Sequence, residues 1–229
     1  INGAKSTFLT DDAEITVECN PFSLGDEFFE KLNKCKVNRL SIGLQSVNDD
    51  ERRILGRRAG KSEVQSVVSR AKNAGINNIS LDVMLGVPGQ TKDSLKSTLD
   101  FCISSGVPHL SCYILKIEEN TPFFRMRDKL PFPSDDDTAD MYLFMCEYLE
   151  EHGIMQYEIS NFAVPGFESR HNLKYWHDEE YLGIGAAAHS FLGGKRTYYP
   201  RDIEYFISGN ERLTEGDGGD EEEFCMLAL

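Results

Sequence analysis

Three of the chain's five histidines and its only tryptophan fall in one segment, SRHNLKYWHDEEYLGIGAAAHS, from Ser169 to Ser190. Within it His171 and Tyr175 are four residues apart, a spacing that puts two side chains on one face of a helix. An imidazole and a phenol so placed could address a single ligand. Trp176 and the small residues Gly183 to His189 would let such a ligand approach the backbone closely. The same small residues read equally well as tight packing. His177, beside Asp178, Glu179 and Glu180, reads as solvated, and His189 as a group that steadies a loop. A zinc site from His171, His177 and His189 has little behind it, since a six-residue step leaves the helix face and no thiolate is near. His109 and His152 lack partners in sequence and read as structural.

A second polar set sits where strands should end. Glu18 closes EITVE, Gln45 lies at the end of NRLSIGLQS, and Asp82 interrupts the apolar NISLDVMLG. A carboxylate between Leu81 and Val83 must find a partner or bear a desolvation cost. Glu18 and Gln45 alone read as solvated strand ends. In a parallel α/β barrel, however, ligands sit at the carboxyl ends of the strands, where several such residues would form one polar basin.

The elements that would position these residues alternate. Strands are expected at 14–18, 38–46, 78–86, 109–116 and 155–161, with amphipathic helices between them. The helix SEVQSVVSRAKNAG should end at Gly75, and another should run from Asp135 to Glu151 between a Ser134 cap and Gly153. Intervals of roughly 24 to 46 residues between strand starts leave room for a crossover helix each time, so the sheet should be parallel. The fold class is α/β: a partial, open parallel βα barrel over 1–162, then a smaller α+β portion over 163–229. In that second portion SFLGGKRTYY reads as a hairpin and TEGDGGDEEE as a mobile acidic linker.

Composition narrows the function classes. The chain has 229 residues, 40% hydrophobic and 27% charged, which suits a globular protein. A formal net charge of -14 argues against a nucleic-acid surface. No apolar run is long enough to span a membrane. The six cysteines are scattered with no CxxC or CxxxCxxC, the pattern of reduced thiols in a cytoplasmic protein. The chain opens on Ile1 and stops in EEFCMLAL, so both ends read as truncated.

The motifs EITVECNP, NRLSIGLQS, ILGRRAG and SLDVMLGVPGQT, in that order, resemble the radical S-adenosylmethionine (radical SAM) proteins of the oxygen-independent coproporphyrinogen III oxidase group. The likeness runs from about Glu14 to the C-terminus. It implies that Glu18, Gln45, Arg57 and Asp82 contact S-adenosylmethionine. Glu18 would take the amino group, Arg57 the carboxylate, and Gln45 and Asp82 the ribose hydroxyls, matches that the chemistry of each group allows. It also implies a [4Fe–4S] cluster on three closely spaced cysteines, a motif expected upstream of Ile1 and absent here, so the polypeptide as given should be inactive in radical chemistry.

The stretch EISNFAVPGFESRHNLKYW, with its HNxxY pattern, is similar to the HemW-type haem chaperone branch. That resemblance implies haem binding by His171, Asn172 and Tyr175. It further implies delivery of haem to haem-requiring respiratory proteins, from the cytoplasm with transient proximity to the membrane. The alternatives are an oxygen-independent coproporphyrinogen III dehydrogenase and, more remotely, a metal-dependent hydrolase on a similar barrel.

Overall fold

Three stretches of this sequence, RLSIG, NISLDVML and HLSCY, alternate polar and apolar residues, and each becomes a strand with two unlike faces. A computed structural model describes residues 10–22, 24–219 and 227. The chain divides into two compact units, one up to Glu168 and one from Ser169.

In the first unit, β1 (Thr16–Cys19), β2 (Arg39–Gln45), β3 (Asn78–Leu85) and β4 (His109–Ile114) form consecutive parallel pairs. The crossovers carry α1 (Asp26–Lys34), α2 (Asp49–Ile54), α3 (Lys61–Asn73) and α4 (Lys92–Ser104). Beyond β4 come α5 (Pro122–Met126) and α6 (Asp135–Glu151). The Ser134 hydroxyl caps α6 by accepting from Asp137 N at 3.1 Å, and Gly153 follows in a left-handed conformation, as the sequence predicts. Leu40, Ile42, Ile79, Leu81, Val83, Leu110 and Cys112 share one face of the sheet. They form the core with Phe29 and Leu32 of α1, Val64 and Val68 of α3, Leu95 and Leu99 of α4, and Met141 and Met145 of α6.

The expected fifth parallel strand, 155–161, is two short strands instead. β5 (Met155–Gln156) and β6 (Asn161–Ala163) pair antiparallel, and β6 also pairs antiparallel with β4, giving the order β1-β2-β3-β4-β6-β5. The helix α6 does carry the chain back so that β5 runs in the direction of β4. The four residues between β5 and β6, however, are too few for a crossover, so the chain reverses and inserts β6 between them.

The second unit is built on α7 (Arg170–Trp176) and a three-stranded antiparallel sheet, β7 (His189–Leu192), β8 (Lys195–Tyr198) and β9 (Leu213–Asp217), with α8 (Ile203–Ile207) between the last two. The hairpin expected in SFLGGKRTYY forms, turning on Gly193 and Gly194, both with positive φ, the two-residue turn that suits strand twist. The expected linker is different: Thr214–Asp217 extend β8 as an edge strand. The rest of TEGDGGDEEE from 220 on, and most of EEFCMLAL, lie outside the described residues.

Candidate functional site

The face of the first sheet opposite the helices is polar. Register places Glu18 beside Ser41, Ser41 beside Ser80 and Ser80 beside His109. One pleat further, Gly43 lies beside Asp82 and Asp82 beside Ser111. The Ser41 hydroxyl donates to Asp82 Oδ1 at 2.9 Å. Burial holds the Asp82 carboxyl above its usual range, and the nearby Glu18 charge adds to that, while the Ser41 hydrogen bond and the Arg39 charge oppose it. Glu18 and Asp82 therefore share one surface, as a common basin requires.

Gln45 joins them by a backbone irregularity. The β2–β3 register shifts between Gly43 and Gln45, and Gln45 takes φ +68°, a costly conformation for a non-glycine residue. The result folds its side chain back. Gln45 Nε2 lies 3.2 Å from where a Gly43 Cβ would stand, on the Asp82 face, and Gln45 Oε1 is buried with no hydrogen-bond partner among the described residues. Arg57 is exposed in the β2–α3 crossover, beyond the carboxyl end of β2, with no ion pair among the described residues. The structure thus gathers Glu18, Gln45 and Asp82, and leaves Arg57 exposed without a contact to them. Gln90 of the VPGQT turn stays structural, accepting from Gly86 N at 2.8 Å and donating to Met84 O at 2.9 Å.

Arg39, Ser41, Ser80, His109, Ser111 and Tyr113 complete the polar face, and sequence reading passed over them as site residues. His109 is fully buried, its Nδ1 2.8 Å from Ser80 Oγ and its Nε2 2.8 Å from Tyr157 OH. Burial, helped by Arg39, lowers its pKa to about 3. The unfolded chain takes up a proton near pH 6.5 that the folded chain refuses. Stability from this group is therefore complete above that pH and is lost as pH falls toward 3, at about 1.4 kcal/mol per pH unit. Asp82, with its raised pKa, changes stability in the opposite sense. Chemical denaturation at pH 7 and pH 5 should show His109→Gln losing less stability on acidification than wild type; equal losses would contradict the assignment.

In the second unit, the Ser169 hydroxyl caps α7 by accepting from Asn172 N at 3.3 Å, so the helix starts where it presents His171 and Tyr175 one turn apart. Tyr175 OH and His171 Nε2 are 2.9 Å apart, and their rings meet edge to face. Tyr175 also packs edge to face on Tyr181 at 4.6 Å, and burial followed by that neighbour raises its phenol pKa. The phenol therefore stays protonated at neutral pH, within hydrogen-bonding distance of the imidazole. The sequence pairing of His171 with Tyr175 is present as a contact; His177 closes α7 as its C-cap. Gly183 packs tightly against its own loop, where a Cβ would meet the His189 carbonyl oxygen, whereas Ile184 and Ala187 are exposed. Among the described residues no group of three or more His, Cys, Asp or Glu side chains is placed to hold a metal ion.

A helix-backed sheet of four parallel strands with one polar face is the architecture of a partial βα barrel. A sequence model of the Radical SAM superfamily matches residues 4–102. Those residues form a radical SAM domain. The chain's sequence is similar to the haem chaperone HemW of Bacillus subtilis (strain 168), 41% identical over 200 residues that make up 86% of this chain and 53% of that protein. It is also similar to HemW of Escherichia coli (strain K12), 38% identical over 91% of this chain and 56% of that one. The chain spans about half the length of the curated relatives it matches. Among solved structures, the coproporphyrinogen III oxidase HemN of Escherichia coli, a radical SAM enzyme, matches with a TM-score of 0.78 at 20% identity, over 95% of this chain and 54% of that one. That likeness concerns the fold.

A radical SAM domain implies S-adenosylmethionine and a [4Fe–4S] cluster. The polar face fits the first: two carboxylates that share one surface and an amide oxygen buried without a partner among the described residues. The described cysteines do not fit the second. Cys102 and Cys112 are buried on the apolar side with raised thiol pKa values, and burial pushes Cys19 up to about 12, the reverse of what a thiolate ligand needs.

Proposed function

We propose that this chain is part of a haem chaperone. Its second unit holds haem through His171, Asn172 and Tyr175, and its first unit holds S-adenosylmethionine through Glu18, Gln45, Arg57 and Asp82. The observation that carries this reading is similarity to HemW proteins across both units, combined with the contact between His171 and Tyr175 on α7. S-adenosylmethionine bound there would supply a nucleotide whose ammonium, carboxylate and diol need the partners this face offers. Glu18 faces the ammonium, Arg57 the carboxylate, and Asp82 and the unpaired Gln45 oxygen accept from the ribose hydroxyls. Ser41 keeps Asp82 aimed at that face. We further propose that haem passes to haem-requiring respiratory proteins from the cytoplasm. No helix among the described residues is long and apolar enough to cross a membrane.

The test is a haem titration followed by absorbance, then addition of an apo-haemoprotein. Wild type should bind haem and release it to the acceptor, and His171→Ala and Tyr175→Phe should each bind about tenfold more weakly. Unchanged affinity in both variants would remove the motif from haem binding. Decarboxylation of coproporphyrinogen III by the full-length protein under anaerobic conditions would replace the chaperone reading with the dehydrogenase.

A further inference from the structure

The second unit holds another imidazole in a better state to bind iron than the motif histidine. His189 starts β7, and β9 brings Glu215 beside it across the sheet, so that His189 Nδ1–H donates to Glu215 Oε2 at 3.0 Å. A carboxylate only accepts, which fixes the tautomer and leaves the lone pair on Nε2. That nitrogen has no hydrogen bond among the described residues, whereas His171 Nε2 is engaged by Tyr175 OH. An imidazole oriented by a carboxylate on its far nitrogen is the arrangement that strengthens histidine as a metal ligand.

His189 opens into a cleft of about 580 Å³ within this unit, lined also by Tyr198, Tyr199, Pro200, Arg201 and Glu215. The His189 and Tyr198 rings lie nearly parallel, 19° apart with centroids at 5.5 Å, so the imidazole is flanked on one face. The cleft wall is held by Ala187, which donates its N–H to Pro200 O at 3.0 Å, and by Tyr199, which donates to Ala188 O at 2.9 Å. Ala187 sits at φ +63°, a conformation that a residue with a Cβ occupies at a cost.

The number of ligands decides what kind of metal fits. A bare divalent ion takes three or more protein ligands, and no such group exists among the described residues. Iron already held by four macrocycle nitrogens needs one axial donor from the protein. Tyr199 and Pro200 add apolar surface to the cleft, and the Arg201 guanidinium suits a propionate carboxylate. We propose that His189, oriented by Glu215, is an axial ligand to the iron of haem bound in this cleft. The assignment rests on the reading of the second unit as haem-binding and adds to it an iron ligand outside the His171–Tyr175 motif, which does not line this cleft.

The experiment is a hemin titration of the full chain by absorbance and electron paramagnetic resonance, comparing wild type with His189→Ala, Glu215→Gln and His171→Ala. Folding of each is checked by circular dichroism. His189→Ala should lose the nitrogen-ligated iron spectrum and regain it with added imidazole. Glu215→Gln, which keeps the shape of the partner, should weaken haem binding by about tenfold or more. A wild-type spectrum and affinity in folded Glu215→Gln and His189→Ala would overturn the assignment while leaving the chaperone reading in place. A wild-type chain that takes up no hemin would overturn both.

Discussion

A methyl group on Gly183 should unfold the second unit. The cause is covalent geometry. The bridge between Tyr181 and Phe191, closed by N–H···O bonds of 2.9 and 3.0 Å, brings the chain back alongside itself, and Gly183 N donates to Ser190 Oγ at 3.0 Å. A Cβ at Gly183 would stand 2.1 Å from the His189 carbonyl oxygen and 3.0 Å from the Ala188 Cβ. Both neighbours are fixed parts of the loop, so no rotamer change relieves the clash. The cost should exceed about 3 kcal/mol, the upper end of ordinary overpacking. Gly183→Ala should expose the second unit to proteolysis under conditions where wild type resists. Gly216→Ala, with nothing within 4 Å of the added carbon, should resist like wild type. Equal resistance of Gly183→Ala and wild type would show that this close approach is wrong. Because Gly183 lies against the His189 carbonyl, the same variant should also weaken the haem binding proposed for this unit.

Removing the charge at Asp82 should make the protein more stable and less able to bind its nucleotide. Asp82 is folded with its pKa raised, chiefly by burial, so the ionised form present at neutral pH is disfavoured in the native state. The native state therefore gains on acidification, and stability from this group falls as pH rises from the ordinary carboxylate range through the raised value. Asp82→Asn keeps a group that can bond Ser41 and drops the charge. It should melt higher than wild type at pH 7, with the gap closing toward pH 4. A variant that melts lower at pH 7 would contradict the burial argument. A carboxylate kept in the sheet at a cost in stability is what a ligand site demands, since functional residues are commonly held against the preference of the fold.

Much of this architecture can be read along the chain, because local rules fix it. Ser134 and Gly153 bracket α6, Gly75 follows α3 with φ +85°, and Gly193–Gly194 turn the β7–β8 hairpin. The spacing of His171 and Tyr175 becomes a contact because a capped helix makes it one. The polar face was legible too. Arg39, Ser41 and Gly43, then Asn78, Ser80 and Asp82, then His109, Ser111 and Tyr113 recur with period two, a signal in the alternation and not in the strand ends alone. What stayed hidden depends on long-range partners. Ser80 and Tyr157 lie far in sequence from His109, and Glu215 from His189. The acidic stretch after Leu213 becomes a strand because β8 offers it a free edge, against its composition. The bulge that turns Gln45 over Gly43 likewise has no local sequence cue beyond the glycine.

The most direct test of the account is equilibrium binding of S-adenosylmethionine to the full chain, with Asp82→Asn and Gln45→Ala as comparisons. Each replaced group would otherwise accept a hydrogen bond from the nucleotide, and a bond to a charged group contributes about 1.5–3 kcal/mol, roughly tenfold to a hundredfold in affinity. The account predicts saturable binding by wild type and a loss of that size in Asp82→Asn, with a smaller loss in Gln45→Ala. Wild-type affinity in both variants would contradict it, because the nucleotide would then sit somewhere other than the polar face of the first sheet.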